Sequence, residues 1–311
     1  MLKTKTISLN SILSLQLLPF FSDNYCYALV NHQTKQFVLV DPAEPSKIQQ
    51  YISNPDSVFQ DKKLIAILTT HKHYDHAGGN SYFRQLDPSI EIYGGDESED
   101  ITRVIPTLLT SHERKPFEFK LFDDEIRLQA YHTPCHTKGH LCYVLKHAKK
   151  ENGEEWNCIF SGDTIFAAGC GRFFEGGAQD MYSNIQLIRS LFSDENKAKR
   201  TLLCCGHEYT VKNIQFLVDR ISDLPLVIQY LEKFKHLSDH GEFCVPTTLW
   251  EEFELNPYFR AINDETCELN SPQEKSKYFR KMSEYLGVKD VTTSYSAVDL
   301  LKKVRELKDQ Y

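Results

Sequence analysis

The chain has 311 residues, 41% of them hydrophobic and 25% charged, and a formal net charge of −7. That is enough for one large or two ordinary globular domains, and the acidic balance argues against a general nucleic-acid binder or a protein that docks on an anionic membrane. No run of about 18 apolar residues is present, so no transmembrane helix is expected, and nine irregularly spaced cysteines without a Cys-x-x-Cys pair point to a reducing compartment rather than a disulfide framework.

Residues 1–22 carry Lys3 and Lys5, several Ser and Thr, and no acid before Asp23. Without arginine this is a weak match to a mitochondrial presequence. A cytoplasmic location is expected, with the mitochondrion as the alternative. Ile12–Leu18 alternates as a first strand would. Leu15–Phe21 and Tyr25–Val30 read as strands around a Ser22-Asp23-Asn24 turn. Gln36–Val40 is a short strand ending at Asp41-Pro42, and Ser46–Ile52 has helical spacing.

Leu64–Leu68 is an apolar β-prone run that delivers the densest chemistry in the chain, Thr69-Thr70-His71-Lys72-His73-Tyr74-Asp75-His76-Ala77-Gly78-Gly79. Three histidines and an aspartate fall within six residues. Imidazole suits zinc, iron and manganese, and carboxylate suits hard or borderline cations. In an extended segment His71 and His73 point the same way and can grip one ion. Asp75 and His76 then turn toward a second position. Four donors at this density are not ordinary surface histidines.

Farther on, Glu91–Tyr93 is a short strand, and Phe117–Phe122 with Glu125–Tyr131 reads as a hairpin around Asp123-Asp124. The second of these runs into His132-Thr133-Pro134-Cys135-His136-Thr137-Lys138-Gly139-His140. Leu141–Leu145, Trp156–Phe160 and Thr201–Cys205 are further strands, the last two ending in Ser161-Gly162-Asp163-Thr164 and Gly206-His207-Glu208-Tyr209. The pattern repeats: an apolar strand, then a His or Asp at its exit, where α/β proteins place their sites. After Tyr209 the character changes. Val211–Ile221, Leu226–Phe234, Lys275–Tyr285 (stopped at Gly287) and Ala297–Lys308 have helical spacing. The reading is an α+β chain with a metal-binding domain at 1–210 and a mostly helical domain at 211–311. No internal repeat or low-complexity segment is visible.

His-x-His-x-Asp-His, a later His, a Gly-Asp-Thr after a strand and a final Gly-His resemble the metallo-β-lactamase superfamily in order and type. The flanks narrow the resemblance. Thr133–Thr137, the run from Ser161 to Gly176 and Cys205-Gly206-His207-Glu208-Tyr209-Thr210 look like glyoxalase II, the hydroxyacylglutathione hydrolases. The likeness extends through Phe253–Arg260 and the terminal helix, and thins over the first fifteen residues and around 236–246 and 271–290. It implies an αβ/βα four-layer sandwich with a C-terminal helical domain, and two divalent metal ions, zinc first, with iron or manganese as alternatives. His71, His73 and His136 would hold one ion, Asp75, His76 and His207 the other, and Asp163 would bridge them. Asp75 and Asp163 would be the catalytic carboxylates. The implied reaction is hydrolysis of S-D-lactoylglutathione, or a similar 2-hydroxyacyl thioester, by a hydroxide shared between the ions. It is the second step of methylglyoxal detoxification. A monomer acting on a small glutathione thioester, with no nucleic-acid or membrane partner, is expected.

The resemblance also assigns the thiol half of the substrate to Arg172, Phe174, Tyr209 and Arg260. Phe174 stands where the family more often has tyrosine. A basic pair common after the Asn-Pro-aromatic segment is missing, since that stretch reads Asn256-Pro257-Tyr258-Phe259-Arg260-Ala261-Ile262-Asn263-Asp264. Blander roles are read elsewhere: Asp41 and His140 as supports for the donors, Cys135 as no nucleophile, Cys204-Cys205 with one of the two buried, and His32, His112, His147, His236 and His240 as surface residues. The alternatives are a persulfide dioxygenase-like enzyme using one iron, a binding module that keeps the fold without catalysis, and a nuclease, which the acidic balance disfavours.

Overall fold

A computed structural model describes residues 3–95, 100–105, 115–119, 121–122, 127–149, 155–262 and 271–311. Seven strands form one sheet in chain order: β1 (Lys5–Ser8), β2 (Leu13–Phe20), β3 (Asn24–Asn31), β4 (Gln36–Val40), β5 (Lys63–Leu68), β6 (Glu91–Gly94) and β7 (Arg103–Val104). Pairing is antiparallel through β4 and parallel from β4 to β7. The second sheet runs β15 (Thr247–Thr248), β14 (Thr201–Cys205), β11 (Glu155–Gly162), β10 (Leu141–Lys149), β9 (Arg127–His132), β8 (Phe117–Phe119). A small hairpin, β12 (Ile165–Phe166) and β13 (Gly169–Cys170), stands apart from both.

Side-chain alternation sets the layers. On β4, Val38 and Val40 face the second sheet, while Phe37 and Leu39 face outward onto helices Pro45–Ile52 and Asn80–Leu86. On β10, Leu141, Tyr143 and Leu145 face the first sheet. Cys142 and Val144 face outward onto Met181, Ile185 and Ile188 of helix Ala178–Leu191. Both faces of each sheet are therefore buried, which is why their strands read as near-continuous apolar runs, and the order of layers is helix, sheet, sheet, helix. The helices after Tyr209, ending in Ala297–Asp309, pack on the outer face of the second sheet. The chain has no helix among the described residues long and apolar enough to cross a membrane.

Several elements differ from their sequence reading. Lys5–Ser8 is an edge strand paired antiparallel to β2, although its residues look like an extra leader. The span 211–221 is a helix Thr210–Phe216 continued by a π-helical turn Leu217–Ile221. Lys275–Tyr285 is two helices, Pro272–Tyr278 and Arg280–Leu286, and the second does end at Gly287 with φ of 69°. Cys204 and Cys205 are both buried, not one. The Asp123-Asp124 turn, His112, Asn263 and Asp264 lie outside the described residues.

Candidate metal centre

Four strand exits meet at one end of the sandwich. β5 runs into His71 and His73. His73 is the residue before the single helical turn Tyr74–Ala77, which turns Asp75 and His76 toward His207 while the His76 ring stays 4.1 Å from that of His71. β9 is followed by His136, β11 by Asp163 and β14 by His207. Three donor groups result, each with its ligand atoms within 4.8 Å of one another: His71, His73 and His136; Asp75, His76 and His207; and Asp163 with His71 and His76.

The inward atoms crowd one another. His73 Nδ1 lies 3.0 Å from both His71 Nε2 and His136 Nε2. His76 Nε2 and His207 Nε2 lie 3.3 Å apart, with Asp75 Oδ2 at 3.5 and 3.3 Å. Asp163 sits between the triads, 3.3 Å from His76 Nε2, 3.4 Å from His136 Nε2 and 3.5 Å from His207 Nε2. Its Oδ1 is buried and accepts no hydrogen bond. Inward-facing lone pairs at this spacing, with an unsatisfied carboxylate oxygen among them, fit divalent cations better than they fit one another.

Four of the five imidazoles are oriented by their other nitrogen, as ligating histidines are. His76 Nδ1 donates to Asp41 Oδ2 (2.9 Å), His207 Nδ1 to Asp23 Oδ1 (2.9 Å) and His136 Nδ1 to the Arg172 carbonyl (2.9 Å). His71 Nδ1 donates to Thr70 Oγ1 (3.0 Å), whose own proton goes to Asp41 Oδ2 (2.6 Å). Asn24 Nδ2 donates to Asp75 Oδ2 (3.0 Å). In the sequence Asp23 and Asn24 read only as a turn. The one signal of more was two amide and carboxylate residues at the mouth of a fully buried strand. His140 is completely buried and accepts from the Asp163 amide (3.2 Å), so it supports the site without offering it a donor.

Charge follows from this packing. Burial alone would raise the carboxyls of Asp163 and Asp75. The neighbouring imidazoles, led by His76 for Asp163 and His207 for Asp75, reverse this and hold both below the usual carboxylate range. Burial alone would lower His207, yet Asp163, Asp75 and Asp23 push it up to about 11. The carboxylates thus favour positive charge at His207 and His76, while burial pushes His71 and His136 the other way.

Glycines let the backbone come this close. A Cβ on Gly171 would sit 2.0 Å from the Asp163 carbonyl and 3.0 Å from His136 Nδ1. One on Gly206 would sit 2.7 Å from both Asp163 Oδ1 and His76 Cε1.

The four residues read as substrate contacts part company. Tyr209 stacks on the His207 ring, 4.8 Å between centroids and 6° between planes. Phe174 is exposed and leans over His136 and His73, at 5.1 and 5.8 Å. Arg172 is exposed and pairs with Asp309 at 3.4 Å. Arg260 is not brought to the cluster's open side. It is buried, its Nη2 donates to the Glu274 carbonyl (3.4 Å), and its guanidinium lies over the Tyr278 ring. Cys135 is buried, and burial pushes its thiol above the usual range. That suits an inert thiol.

The metallo-beta-lactamase superfamily model matches residues 21–207, and the hydroxyacylglutathione hydrolase C-terminus model matches 208–311. The cytoplasmic hydroxyacylglutathione hydrolase of Arabidopsis thaliana is 33% identical over 293 residues, spanning 94% of this chain and 97% of that protein. The chain belongs to the hydroxyacylglutathione hydrolase family of the metallo-beta-lactamase superfamily. The Dictyostelium discoideum hydroxyacylglutathione hydrolase is 30% identical over 292 residues, covering 93% and 96% of the two chains. Among solved structures, ETHE1 from Myxococcus xanthus aligns with a TM-score of 0.53 at 19% identity, over 93% of this chain and 99% of that one, a likeness of fold. The sandwich expected from the family resemblance is therefore the fold this chain has.

Proposed function

We propose that the protein hydrolyses 2-hydroxyacyl-glutathione thioesters, S-D-lactoylglutathione foremost, to the hydroxy acid and free glutathione, completing methylglyoxal detoxification. One observation carries this: two donor triads of three residues each, with the Asp163 carboxylate between them. In this reading His71, His73 and His136 would hold one cation, Asp75, His76 and His207 would hold the second, and Asp163 would serve both. Zinc suits the mixed imidazole and carboxylate set, which iron and manganese also accept. When bound, paired cations make water acidic enough to serve as a nucleophile near neutral pH and polarise a carbonyl oxygen.

The chain's own residues do the rest. Asp41, Asp23, Thr70 and the Arg172 carbonyl keep the imidazoles aimed inward, so the donor set needs little reorganisation. The leaving thiol of a thioester has a pKa of about 8.5. It departs as thiolate, and a site with no evident proton donor suffices. Phe174 and Tyr209 give apolar walls on opposite sides of the cluster. Arg172 offers a guanidinium to a glutathione carboxylate. A one-iron dioxygenase would leave the Asp75, His76 and His207 triad without a task. We divide the chain near residue 210 into a metal-binding and a helical part, which the meeting of the two family matches at 207 and 208 supports. We place the protein in the cytoplasm as a monomer. The eight described cysteines are all unpaired, in keeping with a reducing compartment.

The test is thioester hydrolysis by metal-quantified protein, with S-D-lactoylglutathione beside an acyl-coenzyme A. Rapid turnover of the first alone, with two metals per chain, is expected. Oxygen consumption with glutathione persulfide and no thioester turnover would replace this reading.

A further inference from the structure

Ala167 and Ala168 form the turn between β12 and β13, and the backbone from Phe166 to Gly169 is held from outside at every residue. The Phe166 and Gly169 carbonyls both accept from Asn256 Nδ2, at 3.1 and 3.0 Å. The Ala167 carbonyl accepts from Asn213 Nδ2 at 3.0 Å. The Ala168 amide donates to Glu252 Oε2 at 2.9 Å. Glu252 has no exposed surface. Its Oε2 also takes Asn256 Nδ2 at 2.9 Å, and its Oε1 takes the Thr247 hydroxyl at 2.8 Å. Ala168 has φ of +54°, a left-handed conformation that is sterically unfavourable for an alanine, so the turn keeps its shape only because its surroundings impose it. All of these clamping groups come from the chain after Tyr209.

The turn touches one histidine directly and leads along the chain to a histidine of the other donor triad. On its upstream side the Phe166 ring meets the edges of His207 and Tyr209, at 5.8 and 5.3 Å. On its downstream side the chain passes through Cys170 to Gly171, which has no room for a Cβ against Asp163. It then reaches the Arg172 carbonyl, which fixes His136 Nδ1.

We propose that Glu252 is a positioning residue for the metal centre: acting through the Phe166–Gly169 turn, it holds His207 from one side and His136 from the other, so the helical segment sets the spacing of the two cation sites. The inference rests on the two-cation reading above. Glu252 reaches no donor atom itself. Its fixed requirement is an acceptor for the Ala168 amide and the Asn256 amide group. Its other oxygen faces a hydroxyl, which can donate or accept. Glutamine meets that pattern, with its carbonyl to Ala168 and its NH₂ to Thr247. Alanine leaves the buried Ala168 amide without its acceptor and takes one of the three acceptors from Asn256.

The experiment uses full-length protein loaded with cobalt(II), read by its d–d absorption spectrum and by cobalt stoichiometry. Wild type should bind two ions. Glu252→Ala should shift the spectrum and weaken cobalt binding by about tenfold or more, the usual cost of losing a group that orients ligands. Glu252→Gln should restore the wild-type spectrum. Asn213→Ala, which loosens the same turn from a different helix, should shift the spectrum as well and stands in if Glu252→Ala does not fold. Phe253→Leu, a core change in the helix that carries Glu252, should lower thermal stability and leave the spectrum alone. A wild-type spectrum in the folded Glu252→Ala or Asn213→Ala protein overturns the proposal, and so does an equal shift in Phe253→Leu. Wild-type protein that binds fewer than two cobalt ions sinks the two-cation reading itself, a separate result visible before any variant is made.

Discussion

Replacing Glu252 with Gln changes how stability depends on pH, and the size follows from burial. Desolvation raises the Glu252 carboxyl from an ordinary 4.5 to about 7. Hydrogen bonds from Asn256, Ala168 and Thr247 oppose that rise, and the neighbouring Glu251 adds to it. Between those two values the folded protein keeps a proton that the unfolded chain has released. The folded state binds more protons there, so this group's contribution is whole below pH 4.5 and is lost as pH climbs through about 7. At about 1.4 kcal/mol per pH unit the gap amounts to roughly 3 kcal/mol. Glutamine cannot ionise and lacks this slope. Urea unfolding of chelator-treated protein at a series of pH values measures it. Wild-type stability minus Glu252→Gln stability should fall by roughly 3 kcal/mol from pH 4.5 to pH 8. A difference that stays flat across that range would refute the reasoning, because it would mean the carboxyl titrates alike in both states.

Asp163→Asn keeps the shape between the triads and removes a charge that three imidazoles share. Metal analysis should find one ion fewer per chain, and kcat should fall at least about a hundredfold. A fully active two-metal variant would remove the bridging assignment. Arg172→Ala should raise KM and leave kcat nearly unchanged, the mark of an interaction equal in ground and transition states. If the wild type hydrolyses lactoylglutathione and its glycine-amidated analogue equally well and Arg172→Ala changes nothing, Arg172 meets no carboxylate. Gly171→Ala forces a methyl against the Asp163 carbonyl at 2.0 Å. It should lower both metal content and the unfolding midpoint, by about 1–3 kcal/mol of stability, and a normal Tm with two bound metals would show the loop yields freely.

What the sequence displays is set by how local the cause is. Strands β3, β4, β5 and β14 sit between two packed layers, so their burial is written in consecutive apolar residues. The strand Lys5–Ser8 is half exposed at a sheet edge and composed of Lys, Thr, Ile and Ser. Edge strands avoid a continuous apolar signature. β12, β13 and β15 have two residues each, too few for any period. Lys275–Tyr285 keeps an unbroken helical spacing across Phe279, and tertiary packing decides that the helix breaks there. Cys204 and Cys205 are both buried in the core between the two sheets.

The donors of the metal centre were legible for the same reason, since four of the seven lie within six residues and the others follow strand exits. Their supports were not. Asp23 lies 184 residues from the His207 it orients, and His136 is held by a backbone carbonyl, which every residue possesses and no sequence advertises. Arg260 reads as a substrate contact because it is the basic residue after the Asn-Pro-aromatic segment that the family resemblance singles out, yet an aromatic face and a carbonyl inside the helical packing occupy it. That leaves Arg172 as the exposed guanidinium among the four residues read as substrate contacts, and it is not idle. Asp309 pairs with it at 3.4 Å while also accepting from the buried Arg305 at 2.9 Å. An ion pair with both partners this exposed is worth well under about 1 kcal/mol in water. An incoming carboxylate can therefore take the Arg172 guanidinium at little cost, while Arg305 keeps Asp309 from being left as an unpaired charge. If Arg172 is the glutathione contact proposed above, the terminal helix holds it between substrates through a pair weak enough for a carboxylate to displace.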